Sequence, residues 1–195
     1  MNQDYPVKIL ESRLENLKEK ITEEDFLKGR GLGNEVPFWI FDYSPRNEIL
    51  VRNTITKIIS NAKKQSCNIG EINLYQLSLD ILKKKVPLKK IIGLEKNKGS
   101  IDVLKNIKLL VKSNVLTKEI QKEMKNKKYD LIFLTGVGNV WPLLRSHSIL
   151  NNLQAIDEGV TWVMFYPGEY NGNELRLFGK FKDANYYRAF RLVPQ

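Results

Sequence analysis

The sequence predicts an α/β fold: a single three-layer domain over residues 1–195, with an open, mainly parallel sheet of four or five strands flanked by helices and a C-terminal antiparallel edge. Three observations predict it. Phe38-Trp39-Ile40-Phe41 is a continuous aromatic and β-branched run, the pattern of a strand buried on both faces. Leu131-Ile132-Phe133-Leu134 is a second run; it ends at Thr135-Gly136-Val137-Gly138 and leads into a helix-like stretch. Val160 to Tyr166 is a third, ending at Pro167-Gly168. Strand, glycine turn, helix, strand is the order of a βαβ unit, and binding sites in open α/β sheets form at such strand ends.

Residues 1–26 read as an N-terminal amphipathic helix, because Leu10, Leu14, Leu17 and Ile21 recur at helical spacing with charges between them. Lys28-Gly29-Arg30-Gly31-Leu32-Gly33 resembles a phosphate cradle in its glycine spacing. Pro37 and the strand Phe38–Asp42 follow it, however, where a phosphate loop needs a helix N-terminus, so it reads as a connector. Ser44 and Pro45 supply an N-cap and a first-turn proline for a helix carrying Ile49, Leu50, Thr54, Ile55, Ile58 and Ile59. The turn itself, YSPRNEIL, has neither the glycines nor the lysine of a P-loop, which argues against ATP hydrolysis there.

Ile72 to Tyr75 reads as a short strand and Leu77 to Leu82 as a short helix, with Lys83-Lys84-Lys85 at its negative dipole end. Residues 83–100 read as a loop. Ser100 and Asp102 then open a long helix from Ile101 to Met124, apolar at Val103, Leu104, Ile107, Leu110 and Val111, with Lys105, Lys108 and Lys112 along its other side. A further helix, Val140–Leu153, carries Arg145 and His147. Asn171-Gly172 marks a tight turn before an antiparallel strand at Leu175 to Phe178. The remaining tail is aromatic and basic together.

Charge is unevenly distributed. The net charge is +10, yet residues 61–128 hold 17 Lys against 6 acidic residues, so the middle supplies the whole excess. Such a surface attracts phosphate or an acidic partner. The lysine row on the long helix also reads simply as a solvated face, and no aromatic residue stands among these lysines to stack on bases. No apolar run approaches a membrane span, and one cysteine, Cys67, forms no internal disulfide; a cytoplasmic setting is expected.

Candidate site residues fall in two groups. Thr135, Gly136 and Gly138, with Arg145 and His147 on the following helix, form a strand-end, helix-start site where an anion could meet backbone amides. Glycines that only tighten the turn explain the same residues. His147 is the only histidine, so a zinc site would need several carboxylates; no metal or other cofactor is expected. The second group is Asn185, Tyr186, Tyr187, Arg188 and Arg191, since Tyr and Arg are enriched at interface hot spots. An edge strand packed on the core accounts for them equally well.

The stretch from Phe133 to Val193 also resembles a known family. The blocks FLTGVGNVWPLLRSH, SILNNLQ, FYPGEYNGNELRLFG and KDANYYRAFRL occur in one order and are similar to the BrxB family, a small component of bacterial BREX phage-defence systems. The N-terminal VPFWIFDYSPRNEILVRNTI fits the same family more loosely. The resemblance covers the whole chain and is strongest over residues 129–195. It implies membership of a defence complex that combines a PglZ-like alkaline-phosphatase-superfamily protein, a large ATPase and a DNA methyltransferase. It brings no catalytic motif. The expected function is therefore a non-catalytic adaptor bound to one of these proteins, most readily the PglZ-like one. The alternatives are a DNA-binding accessory subunit using Lys105, Lys108 and Lys112, and a degenerate nucleotide-binding protein using the 135–138 turn.

Overall fold

The computed structural model describes residues 7–27, 38–64, 67–125, 127–153, 156, 159–183 and 189–194, without the side chains of His147 and Asp183. Five parallel strands stand in the order β2-β3-β4-β1-β7: β1 Phe38–Tyr43, β2 Ile69–Asn73, β3 Leu131–Thr135, β4 Thr161–Tyr170 and β7 Phe190–Arg191. A short antiparallel extension, β5 Leu175–Leu177 and β6 Phe181–Asp183, is joined to the sheet through the far end of β4. The α/β fold with an open, mainly parallel sheet is thus as expected.

The continuous apolar runs lie where parallel strands need them, covered on both faces. On one face Phe41, Phe133, Val163 and Phe165 pack under α1 (Val7–Lys20), α2 (Glu24–Leu27) and α3 (Glu48–Lys64). Phe133 meets Phe165 edge-on at 5.0 Å between ring centres. On the other, Phe38, Ile40, Ile132, Leu134, Trp162 and Met164 pack under α4 (Leu74–Lys85), α6 (Ser113–Lys125) and α8 (Ser146–Leu153). Alternate residues of each strand thus feed two separate cores, as the two-residue strand period demands.

Several boundaries differ from expectation. The N-terminal amphipathic helix over residues 1–26 is α1 and a separate short α2. The segment expected as a loop, 83–100, is largely helical: α4 runs to Lys85, and α5 spans Leu88–Leu110 with one non-helical residue, Gly99. Pro87 does not end structure; it opens the next helix, a position where its missing N–H costs nothing. The expected single helix Ile101–Met124 is broken at Val111-Lys112 into the end of α5 and α6. Val140–Leu153 is likewise two pieces, α7 (Val137–Val140) and α8, because Pro142 drives Trp141 to extended backbone, with φ −69° and ψ 140°.

The fourth strand does not stop at Pro167-Gly168 but continues to Tyr170. Its first residues lie between β3 and β1, with the β3 register ending at Met164. From Gly168 it pairs instead with β5. Pro167 falls at the handover between these two neighbours, where a strand tolerates a residue that cannot donate. Among the described residues, no helix is long and apolar enough to cross a membrane.

Candidate functional site

The carboxyl ends of β1, β2 and β3 open into a crevice of about 290 Å³. Its walls include Tyr43, Glu48 and Arg52 on the β1–α3 side, and Glu71, Asn73, Thr135, Gly136 and Asn139 on the β2–β3 side. The Thr135 hydroxyl donates to Glu71 Oε1 at 2.7 Å. The Asn73 carboxamide oxygen caps α4, accepting from the amides of Tyr75 and Gln76 at 3.1 Å each. Gly136 has φ 71°, and a Cβ there would run into the Asn73 side chain and come within 3.2 Å of the Tyr75 amide nitrogen. Only glycine fits without displacing that cap.

Opposite, the Glu48 carboxylate is held from two sides. Tyr43 donates its hydroxyl at 2.5 Å and Arg52 Nη2 donates at 3.0 Å. Burial first, then the charge of Glu48, pushes the Tyr43 hydroxyl far above its ordinary range, so it stays protonated and serves as a donor. The crevice therefore presents two carboxylates against one guanidinium. A phosphate entering the crevice would face the carboxylates of Glu71 and Glu48, with Arg52 already engaged by Glu48. The 135–138 turn also lacks a helix worth a dipole, since α7 has four residues.

Nor does Arg145 support that turn. It precedes α8 directly, is exposed, and lines two other depressions. The structure thus brings Thr135 and Gly136 together with Glu71 and Asn73, while Arg145 stands elsewhere. Gly138 sits in α7, and a Cβ there would press on Pro167 Cγ at 2.8 Å and Phe178 Cε1 at 3.0 Å, so its smallness serves packing. His147 lies in α8, and its side chain is outside the described part.

Of the tail candidates, Asn185, Tyr186, Tyr187 and Arg188 lie outside the described residues. Arg191 is described and turns inward. Its Nη2 lies 3.5 Å from Asp42 Oδ2, while Asp42 also accepts from Arg13 Nη2 at 2.8 Å and from the Tyr170 amide at 3.1 Å. Arg191 thus reaches a buried carboxylate while its side chain stays 28% exposed. Cys67 is half-buried, and burial first, then Asp130, raises its thiol, which leaves it a poor nucleophile. Among the described residues, no group of three His, Cys, Asp or Glu is placed to hold a metal ion.

Two further surfaces are open to solvent. In α5 only Val103 is buried, while Leu88, Ile92, Ile101 and Leu109 are 66%, 44%, 73% and 65% exposed. Lys105 and Lys108 lie on the same helix; Lys105 is paired with Asp102 at 3.6 Å. The second feature, a basic rim around Trp141 and Phe181, went unseen in the sequence. Its aromatic residues are brought together only when the β5–β6 hairpin folds back over the segment between α7 and α8.

The fold and these surfaces define a parallel α/β protein whose strand-end polar groups satisfy one another and whose exposed features suit binding. The comparisons give its family. The family model described as "BREX protein BrxB" matches residues 70–192. A protein described as "BREX protein BrxB" from Bacillus cereus (strain H3081.97) is 43% identical over 191 residues, covering 95% of this chain and 98% of the relative. One of the same description from Escherichia coli O9:H4 (strain HS) is 34% identical over 186 residues, covering 95% and 92%. No solved structure matches. The chain belongs to the BrxB family.

Proposed function

We propose that this protein is a cytoplasmic, non-catalytic adaptor of a BREX-type phage-defence complex and that its partner is the PglZ-like alkaline-phosphatase-superfamily protein. Family membership supports the system. The observation that carries the adaptor reading is α5: two helical stretches joined by a kink at Gly99, with one buried side chain between them and two large apolar ones in solvent on each stretch. A helix keeps such an apolar surface bare at a cost, and surfaces of this kind mark protein interaction sites. The lysines around it exclude a second cationic surface and suit an acidic partner. Tyr187 and Arg188 are separate candidates, because Tyr and Arg are enriched at interface hot spots.

Co-purification of the intact protein with each product of its neighbouring operon tests this. A stable complex with the PglZ-like protein is expected. Leu88→Ser with Ile92→Ser should weaken it at least tenfold without lowering the Tm, and Tyr187→Ala with Arg188→Ala should weaken it separately. Absence of association with every operon partner rules the adaptor role out.

A further inference from the structure

We infer that the rim around Trp141 and Phe181 is a binding shelf for single-stranded nucleic acid. Trp141 and Phe181 stack with ring centres 4.3 Å apart and planes 30° from parallel, and Phe178 meets both edge-on at 6.3 and 6.4 Å. Trp141 backs Phe181 on one side, yet Phe181 remains 44% exposed, so a large planar surface is fixed in place and still open. Arg145, Lys180 and Lys182 line the same depression, which holds about 380 Å³. Lys182 is engaged by Glu174 at 2.7 Å, whereas Arg145 and Lys180 have no ion pair among the described residues.

The basic surface continues. Arg145 also lines an adjoining depression of about 440 Å³ with Lys108, Lys112, Ser113, Asn114 and Ser148. The aromatic partner that the lysine row lacks in sequence is therefore supplied in space, through Arg145. A cationic track beside a rigid ring is the arrangement that holds single strands: phosphates follow the cations and bases stack on the ring. A duplex offers its base edges and not its base faces, and an acidic peptide uses the cations without needing Phe181. Using both features at one place favours the single strand. This inference is independent of the adaptor reading and stands or falls without it.

The test measures anisotropy of labelled oligothymidine and oligouridine of about 15 nucleotides, the upper end of such site sizes, with the intact protein and with a matched duplex. Single-strand binding is expected, with affinity falling roughly twentyfold between 50 and 200 mM salt for three phosphate contacts. Phe181→Ala should weaken it about 5- to 100-fold, and Phe181→Tyr should retain it. Arg145→Glu, at an exposed position, should reduce both affinity and salt slope even if Phe181→Ala proves unstable. Preference for oligothymidine or oligouridine would identify the source of the strand. No binding at 50 mM salt overturns the inference. So does equal binding of duplex and single strand that ignores Phe181→Ala. Polyglutamate binding that depends on Phe181 while both oligonucleotides stay inert would also overturn it.

Discussion

Arg13 of α1 and Asp42 of β1 form an ion pair of 2.8 Å in which both side chains are buried, at 4% and 0% exposure. A second Arg13 nitrogen, Nη1, donates to the Asp42 carbonyl at 2.7 Å, and the guanidinium lies 4.8 Å from the centre of the Phe41 ring. Removing one partner strands the other charge in the core, which costs far more than the pair contributes. Arg13→Ala or Asp42→Ala should each lower stability by about 3–5 kcal/mol. Denaturant titration of each single variant and the double checks this; the double should be less damaging than the two singles added together.

Tyr43 gives a pH-dependent prediction. Its hydroxyl titrates far above the ordinary value of 10.0 because burial and Glu48 disfavour the phenolate. A group raised in the folded state contributes stability that is complete below its unfolded pKa and is lost as pH rises above it. Stability should therefore fall above about pH 10. Tyr43→Phe should cost about 1.5–3 kcal/mol at neutral pH, the loss of a hydrogen bond to a charged group, and should flatten the alkaline decline. Thermal denaturation at pH 7 and pH 11 separates the two effects; an equally steep alkaline decline in the variant would contradict the assignment.

Asn73 is expected to matter more as a cap than as a ligand. Asn73→Ala should destabilise by about 1 kcal/mol through loss of the α4 cap, and Asn73→Ser should restore most of it. Melting curves of the two variants decide this.

Gly168 stands where β4 exchanges β3 for β5. A Cβ at this position would collide with the Arg176 carbonyl oxygen and lie 2.9 Å from Tyr166 Cε1. Gly168→Ala should cost at least about 2 kcal/mol, because backbone rather than a flexible side chain must yield. Amide exchange should show the damage first in β5, whose Leu177 register partner is Gly168.

The first half of α5 should be the least protected of the long helices. Leu88 to Lys98 has no buried side chain, whereas α6 buries Leu116, Thr117, Ile120 and Met124. Amides of 89–98 should exchange faster than those of 116–124 and gain protection when the partner binds.

The sheet was legible because Phe38–Phe41, Leu131–Leu134 and Val160–Tyr166 are apolar without alternation, which only a doubly covered strand requires. The α5 helix was not, since recognition of a helix rests on an apolar stripe packed against something, and residues 88–98 pack on little. The break at Trp141 was legible in principle: the residue before Pro142 is pushed out of helical space, and the apolar Val140–Leu153 pattern hid it. For the site, Thr135 and Gly136 do lie at a strand end, as their order suggested. What surrounds them comes from elsewhere, however, with Glu71 and Glu48 lying 64 and 87 positions before Thr135 in the numbering. The stacked pair Trp141–Phe181 was beyond pattern reading for the same reason: a hairpin, not a period, unites it.

Arg13 also donates to the Val193 carbonyl at 3.4 Å, and Lys20 donates to that of Leu192 at 3.1 Å, while the Leu192 amide bonds to Ile40 at 2.9 Å. A ribosome delivers α1 well before residues 192–193, with Val193 following Arg13 by 180 positions. Closing so large a loop adds little entropy beyond a medium one, about 0.6 kcal/mol per doubling of length. The constraint is one of timing. A nascent chain that stalls short of Leu192 holds α1 by its packing on the sheet and by the Arg13–Asp42 pair, but without the two carbonyl contacts that complete its fastening.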